Sequence, residues 1–132
     1  MKGSVSAKQA VRLRIFIVEN HRDTLKYLTM YLEACGHSVQ SARTMKAALE
    51  ALPSADCDML ISAIGLPDGD GWELMRQLNL PRSVFAVAIS GYGTEADQAK
   101  SKEVGFRRHL VKPIGGEDLA PLIEEAARQL VA

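Results

Sequence analysis

The sequence has little of what nucleic-acid-binding, secreted or membrane-bound proteins require. Aromatic residues make up only 5% of the 132 residues, and acids and bases balance at 16 each, so the formal net charge is zero. Nucleic acid binding usually needs a basic excess on one face, whereas here both signs are interspersed along the chain. We therefore expect no nucleic acid partner.

Cysteine is also scarce, with two residues and no CxxC spacing between them. This pattern excludes a disulfide framework and favours a reducing compartment. The simplest interpretation of Cys35 and Cys57 is that both are small, buried apolar side chains.

Long apolar runs are absent. No segment approaches the roughly 18 consecutive apolar residues needed to span a bilayer, and residues 1–6 lack the apolar stretch of a secretion signal. We expect a cytoplasmic protein without membrane contact. Residues 1–10 are polar and aperiodic, which predicts a disordered leader or linker before a single domain over residues 11–132.

What the sequence does contain is a fivefold alternation of short apolar runs with amphipathic stretches from Leu13 onward. The β-branched runs bounded by Gly or Pro predict strands, and apolar residues spaced by three and four predict helices. This order predicts the α/β class, as a (βα)5 chain folded into a doubly wound, five-stranded parallel sheet with helices on both faces. In such open sheets the ligand crevice lies beyond the carboxyl ends of the strands.

Two of the predicted helices have unusual compositions. The helix that opens at Thr94 has few apolar side chains with which to contact the core. Its apolar members are Ala96, Ala99 and Val104. So weak an apolar face predicts that this helix moves. In the last helix, Pro121 fits a position near the first turn, where no backbone donor is required.

Two acids follow the third predicted strand closely. Asp70 and Glu73 have the spacing of a capping box, so Asp70 is explained as a helix cap. Asp68 lies between Pro67 and Gly69 and is explained by turn chemistry. These local roles leave little reason to consider either acid as a chemical acceptor.

Four short motifs end the predicted strands one, three, four and five. They are Glu19-Asn20, the loop from Ala63 to Gly71, Ser90-Gly91 and Lys112-Pro113. With these motifs in this order and spacing, residues 13–130 resemble the receiver domain of bacterial two-component response regulators. The resemblance implies a flavodoxin-like receiver fold. It extends to receivers that stand alone and to those attached to hybrid histidine kinases.

The resemblance implies a metal and phosphoryl site. In that family the residue matching Ala63 is the aspartate that accepts a phosphoryl group from a phosphohistidine. The acidic pair matching Glu19 and Asn20 holds Mg²⁺ together with that aspartate and the backbone carbonyl matching Gly65.

The resemblance also implies a switch. The hydroxyl matching Ser90 and the ammonium matching Lys112 bind phosphoryl oxygens. The ring matching His109 turns inward when the domain switches, and Pro113 is a candidate for a cis peptide bond.

Ala63 removes the chemistry that the resemblance would otherwise imply. A methyl group has no lone pair with which to attack phosphorus, so no catalytic residue is expected and the chain is not an enzyme. Mg²⁺ prefers hard anionic oxygens, and here the charge of Glu19 is cancelled by that of Lys112. We therefore expect the metal site to be vestigial, with no cofactor in this chain and Mg²⁺ only in a variant with aspartate in place of Ala63.

The partners implied by the resemblance are a histidine kinase or a phosphotransfer protein, docked near the first helix and the loop after strand five. A homodimer through helix four, strand five and helix five is also implied. The function expected is that of a phosphorelay receiver that cannot be phosphorylated. The alternative is a natural phosphate-independent pseudo-receiver, acting as a constitutive interaction domain.

The sequence leaves the origin of Ala63 open. Intact Ser90, Lys112 and Pro113 fit a laboratory Asp→Ala change in a working receiver, whereas Asn20 fits natural loss of a second metal ligand. A flavin- or nucleotide-binding enzyme is a further class. It would need a Gly-rich phosphate loop after strand one, and residues 19–23 are charged and lack glycine.

Overall fold

The computed structural model of the chain describes residues 11–131, so the predicted leader over residues 1–10 lies outside the described residues. Five parallel strands form the main sheet in the order β2-β1-β3-β4-β5. The strands are β1 (Arg14–Val18), β2 (Ser38–Ala42), β3 (Met59–Ala63), β4 (Phe85–Ser90) and β5 (Arg108–Val111). The central strands β3 and β4 are buried along their whole length, as expected for strands covered on both faces.

Helices connect the strands. They are α1 (Arg22–Ala34), α2 (Met45–Ala51), α3 (Gly71–Leu78), α4 (Glu95–Glu103) and α5 (Gly116–Val131). A 3-10 turn at Leu52–Ser54 follows α2, and a two-residue hairpin joins Gly65–Leu66 to Gly69–Asp70 before α3. The predicted doubly wound (βα)5 sheet is confirmed.

Alternate residues of the strands divide the core into two apolar layers. In β1, Ile15 and Ile17 face the layer that contains the buried side chains of α1 and α5. Phe16 and Val18 face the layer that contains those of α2 and α3. This period of two is what a strand imposes when both of its faces are buried.

The start of α3 depends on Asp70, whose side chain accepts a hydrogen bond of 2.8 Å from the backbone N–H of Glu73. The predicted cap at Asp70 is therefore confirmed. The Glu73 carboxylate bonds to Arg76 and Gln77, which lie one turn further along the helix. Of the two reciprocal hydrogen bonds of the predicted capping box, the structure thus shows the one that Asp70 accepts.

Helix α4 is attached weakly through apolar contacts, as predicted. Ala96 and Ala99 are exposed, and Ser101 is the only buried residue of this helix. The core contact of α4 is therefore polar rather than apolar.

Two local predictions are wrong. Cys35 is exposed because it follows the last residue of α1 and caps that helix, so only Cys57 is partly buried. Helix α5 begins at Gly116, which puts Pro121 in its second turn rather than its first. Proline has no N–H to donate there, and the Glu117 carbonyl consequently lacks its usual helical partner.

Candidate functional site

The carboxyl ends of β1, β3, β4 and β5 meet at one edge of the sheet. Val18 pairs with Ser62, and Ser90 pairs with Val111, so the chain leaves all four strands at the same level. The predicted site residues at this edge are Glu19, Ala63, Ser90 and Lys112.

The charged part of the site is an ion pair between Glu19 and Lys112. The Lys112 Nζ lies 3.1 Å from Glu19 Oε1, and the Glu19 side chain is only 3% exposed. Strands β1 and β5 are three strand spacings apart, about 14 Å at about 4.8 Å each. The pair must therefore reach across the ends of β3 and β4, above Ala63 and Ser90.

The Glu19 carboxylate is fixed from one side only. Its Oε2 accepts a hydrogen bond of 2.9 Å from the backbone N–H of His21, which caps α1. Its Oε1 is buried and, within residues 11–131, has no aligned hydrogen bond, although the Lys112 ammonium is near enough for charge attraction. That oxygen therefore retains unused acceptor capacity.

Ala63 ends β3 with its side chain 3% exposed. Its backbone is closely enclosed, since the Ser62 hydroxyl donates to the Ala63 carbonyl at 2.9 Å. A Cβ added to Gly71 would lie 2.4 Å from the same carbonyl oxygen. Glycine at the first position of α3 is what allows this helix to approach the end of β3 so closely.

The residues present do not fit a Mg²⁺ site. Glu19 Oε1 could accept a cation, but the Ala63 side chain supplies no oxygen, and the amide of Asn20 carries no charge. The Asn20 carbonyl accepts a hydrogen bond of 3.1 Å from Arg43. In the described part of the chain, no three His, Cys, Asp or Glu side chains are grouped to hold a metal ion.

The Asp68 side chain has a structural role that the sequence did not indicate. Its two oxygens accept hydrogen bonds from the backbone N–H groups of Met45 and Lys46, at 2.7 and 2.9 Å. These bonds to the first turn of α2 lower the pKa of Asp68. Asp68 lies in the turn between Leu66 and Gly69, as predicted, and its side chain also clamps the β3–α3 loop to α2.

The second part of the site is a chain of hydrogen bonds that we call the hydroxyl relay. The Trp72 indole N–H donates to Ser101 Oγ at 2.9 Å, and Ser101 Oγ lies 2.8 Å from His109 Nδ1. His109 Nε2 lies 2.8 Å from Ser90 Oγ. The relay is thus Trp72, Ser101, His109 and Ser90. Sequence analysis missed Ser101 and Trp72, although the scarcity of apolar residues in α4 indicated that something polar had to face inward.

A groove of about 440 Å³ lies beside the ion pair, between α1 and the loop after β5. The Lys112–Pro113 peptide bond in this loop is cis. The lining residues are Asp23, Thr24, Tyr27, Leu28, Lys112, Pro113 and Ile114. Tyr27 presents an apolar ring that is 43% exposed.

Comparison with known sequences identifies relatives along most of the chain. The profile of the "Response regulator receiver domain" family matches residues 15–124. The KDP operon transcriptional regulatory protein KdpE of Escherichia coli (strain K12) is 30% identical over 115 residues, which are 87% of this chain and 51% of that protein. The "Uncharacterized 14.6 kDa protein in sodA1 3'region" of Leptolyngbya boryana is 30% identical over 117 residues, 86% of this chain and 89% of that protein.

Solved structures show the same fold. A two-component response regulator from Clostridium difficile has a TM-score of 0.85 at 24% identity, covering 90% of this chain and 98% of that one. A CheY-like receiver domain protein from Methanospirillum hungatei JF-1 has a TM-score of 0.83 at 25% identity, covering 89% and 95%. These matches confirm the flavodoxin-like receiver fold.

Several coarser properties follow from these comparisons. Receiver domains are generally non-catalytic signalling domains that typically bind Mg²⁺ at the acceptor site and interact with histidine kinases or phosphotransfer proteins. The chain spans about half the length of curated transcriptional regulators such as KdpE. Within residues 11–131, none of the helices has the length and apolar character needed to cross a membrane. This chain belongs to the response regulator receiver domain family.

Proposed function

We propose that this receiver domain binds a histidine kinase or a phosphotransfer protein but cannot be phosphorylated, because Ala63 occupies the acceptor position. The observation that carries the proposal is the methyl group of Ala63 at the end of β3, at the same sheet edge as the Glu19–Lys112 pair. No oxygen is available there to attack phosphorus. Asp68 and Asp70 have structural roles instead, since both oxygens of Asp68 and Oδ1 of Asp70 accept backbone hydrogen bonds from helix termini.

The electrostatics of the pocket support the same proposal. In this chain Lys112 has one carboxylate partner, so the two charges cancel and little attraction for a divalent cation is left. An aspartate at position 63 would add a second carboxylate at the sheet edge where Lys112 already lies. We therefore expect Mg²⁺ to bind an Ala63→Asp variant and not the parent chain.

The proposal is tested by intact mass measurement after incubation with acetyl phosphate and Mg²⁺. The parent chain should gain no phosphoryl group. Ala63→Asp should gain one phosphoryl group, and omission of Mg²⁺ should suppress this gain. Ala63→Asn is the matched control, since it has the size of aspartate without the nucleophile. Phosphorylation of the parent chain, or none of Ala63→Asp, would contradict the proposed acceptor position.

The groove beside α1 supports kinase or phosphotransfer docking. It borders Lys112 and exposes the Tyr27 ring, so a partner helix placed there would lie next to the acceptor position. Tyr27→Asp should weaken binding of a phosphotransfer protein at least tenfold in a calorimetric titration, because it introduces a charge into the apolar contact. The exposed Glu95 on α4 provides a control, Glu95→Gln, which should leave binding unchanged.

The second candidate is a constitutive interaction domain, independent of phosphate. It is favoured by the inward position of His109, whose ring is fully hydrogen-bonded in a chain without an acceptor aspartate. A homodimer through α4, β5 and α5 is one form of this activity, and the exposed Tyr92 and Val111 lie near that surface. Sedimentation at increasing concentration should show the dimer in the parent chain without any phosphodonor.

A further inference from the structure

Helix α4 reaches the core through one buried side chain. Ser101 is 1% exposed, and its hydroxyl contacts both Trp72 at the start of α3 and His109 on β5. A buried hydroxyl is costly unless its hydrogen bonds are made, so these two contacts fix where α4 can lie.

The donors available constrain the hydrogen bonds of the relay. The Trp72 indole nitrogen is a donor only, so Ser101 Oγ accepts from it. The Ser101 hydroxyl has one proton of its own, and His109 Nδ1 lies 2.8 Å away. When that proton points at Nδ1, this nitrogen is an acceptor and the imidazole carries its own proton on Nε2.

The groups around His109 Nε2 are consistent with a proton on that nitrogen. His109 Nε2 lies 2.8 Å from Ser90 Oγ and 3.1 Å from the Tyr92 carbonyl oxygen, and both can accept from an N–H group. The Ser90 hydroxyl itself donates to the Tyr92 carbonyl. The Ser90 proton is thereby directed toward the β4–α4 loop and away from Ala63.

The Trp72 end of the relay is held in place by α4. The Lys100 ammonium lies 4.3 Å from the centre of the indole ring, a cation–π contact from the same helix that carries Ser101. Helix α4 thus contacts Trp72 at two points, and the indole joins α3 to α4 at the base of the relay.

We propose that Ser101 and Trp72 are positioning residues that hold the His109 ring inward, as its Nε2–H tautomer, without any phosphoryl group. The relay thereby fixes the orientation of the Ser90 hydroxyl and ties α4 to β5. This inference rests on the proposed function, because it treats the inward position of the His109 ring as one state of a receiver's switch. In this chain that inward state is the resting state. The hydrogen bonds themselves can be tested without any phosphodonor.

The test uses the full chain with ¹⁵N-labelled histidine and long-range ¹H–¹⁵N spectra of the imidazole rings. The parent should show His109 as a single Nε2–H tautomer. Ser101→Ala should convert it to a mixture of tautomers and shift the Trp72 indole N–H signal. Ser62→Ala is the matched control, because Ser62 is equally buried but bonds only to the Ala63 carbonyl. An Nδ1–H tautomer in the parent, or equal changes in the two variants, would overturn the proposal.

Hydrogen exchange supplies a second readout. If Ser101→Ala fails to fold, Trp72→Phe serves as a second variant. Trp72→Phe removes one of the buried hydrogen bonds of Ser101, and Ser101→Ala removes both. Loss of one such bond, about 1.4 kcal/mol, should speed exchange of the α4 amides roughly tenfold, and loss of both at least as much, while α5 amides stay unchanged. Uniform acceleration of all helices would contradict a positioning role. If Ala63→Asp takes up no phosphoryl group while these results hold, the acceptor assignment fails and the relay stands.

Discussion

The Glu19–Lys112 pair and the hydroxyl relay lie side by side at the same edge of the sheet, yet they differ in how well their polar atoms are satisfied. The pair leaves Glu19 Oε1 without an aligned hydrogen bond. In the relay every nitrogen and hydroxyl has a partner at 2.8 to 2.9 Å. An incomplete charged cluster thus lies beside a hydrogen-bonded cluster that is complete.

This difference teaches that the charged pair and the hydroxyl relay are physically separable in this chain. The charged pair receives no further oxygen from the Ala63 side chain. The relay depends on shape and on the hydrogen bonds of four side chains, none of which needs a ligand. The relay can therefore be complete while the charged pair is not.

The largest effect is expected from removing the cation of the pair. Lys112→Met should leave the buried Glu19 carboxylate without a counter-charge and lower the free energy of unfolding by about 2 kcal/mol, less than for a fully buried pair because the Lys112 side chain is 31% exposed. Urea denaturation at neutral pH measures the loss.

A double variant distinguishes an unpaired charge from lost packing. Glu19→Gln combined with Lys112→Met should be more stable than Lys112→Met alone, because no buried charge remains and glutamine can still accept from His21. If the double variant is the less stable of the two, the pair is not the reason for the loss. The contrast between the incomplete pair and the relay would then disappear.

A smaller effect is expected from Ala63→Asp in the absence of metal. A second carboxylate would compete with Glu19 for the one Lys112 ammonium, so the melting temperature should fall by roughly 3 °C, equivalent to about 1 kcal/mol. Mg²⁺ should reverse the fall, since binding to the folded state alone stabilises it. Ala63→Asn serves as the uncharged control, and a clearly higher midpoint for Ala63→Asp without metal would refute the charge argument.

The smallest effect is a loss of stability at acid pH, and it arises at the opposite end of the sheet. Burial, together with the nearby Arg12, lowers the pKa of His37, whose Nδ1 accepts from the Leu13 backbone N–H at 3.1 Å. Below the usual histidine pKa of about 6.5, the unfolded chain therefore binds more protons than the folded one, and stability falls as pH falls.

A pair of urea titrations at about pH 7.5 and about pH 5.5, on either side of that value, measures this change. His37→Gln should flatten the difference, because an amide can accept from Leu13 but does not titrate. If His37→Gln loses as much stability at the lower pH as the parent chain does, the pH dependence arises from groups nearer the pair or the relay.

The sequence predicted the sheet and the convergence of its strand ends because both follow from local periodicity and from the geometry of parallel strands. Alternation of apolar runs with amphipathic helices is visible within short windows. The meeting of Glu19 and Lys112 required only that strands one and five end at the same edge. The position of Ala63 between them followed from the same rule.

Other contacts could not be predicted because they depend on side chains far apart in the chain. The Asp68 clamp reaches back to Met45 and Lys46, and the Trp72–Ser101 bond joins two helices that share no sequence pattern. The exposure of Cys35 depends on how the end of α1 faces solvent, which hydrophobicity alone does not determine. Long-range polar contacts are thus the part of this molecule that only three-dimensional packing reveals.

The close approach of Gly71 to the Ala63 carbonyl has a further consequence. There is no space for even a methyl group between them, so any side chain at position 71 must push α3 away from the end of β3. The distance between this helix and the sheet is therefore set by the backbone of β3 and by a residue that has no side chain.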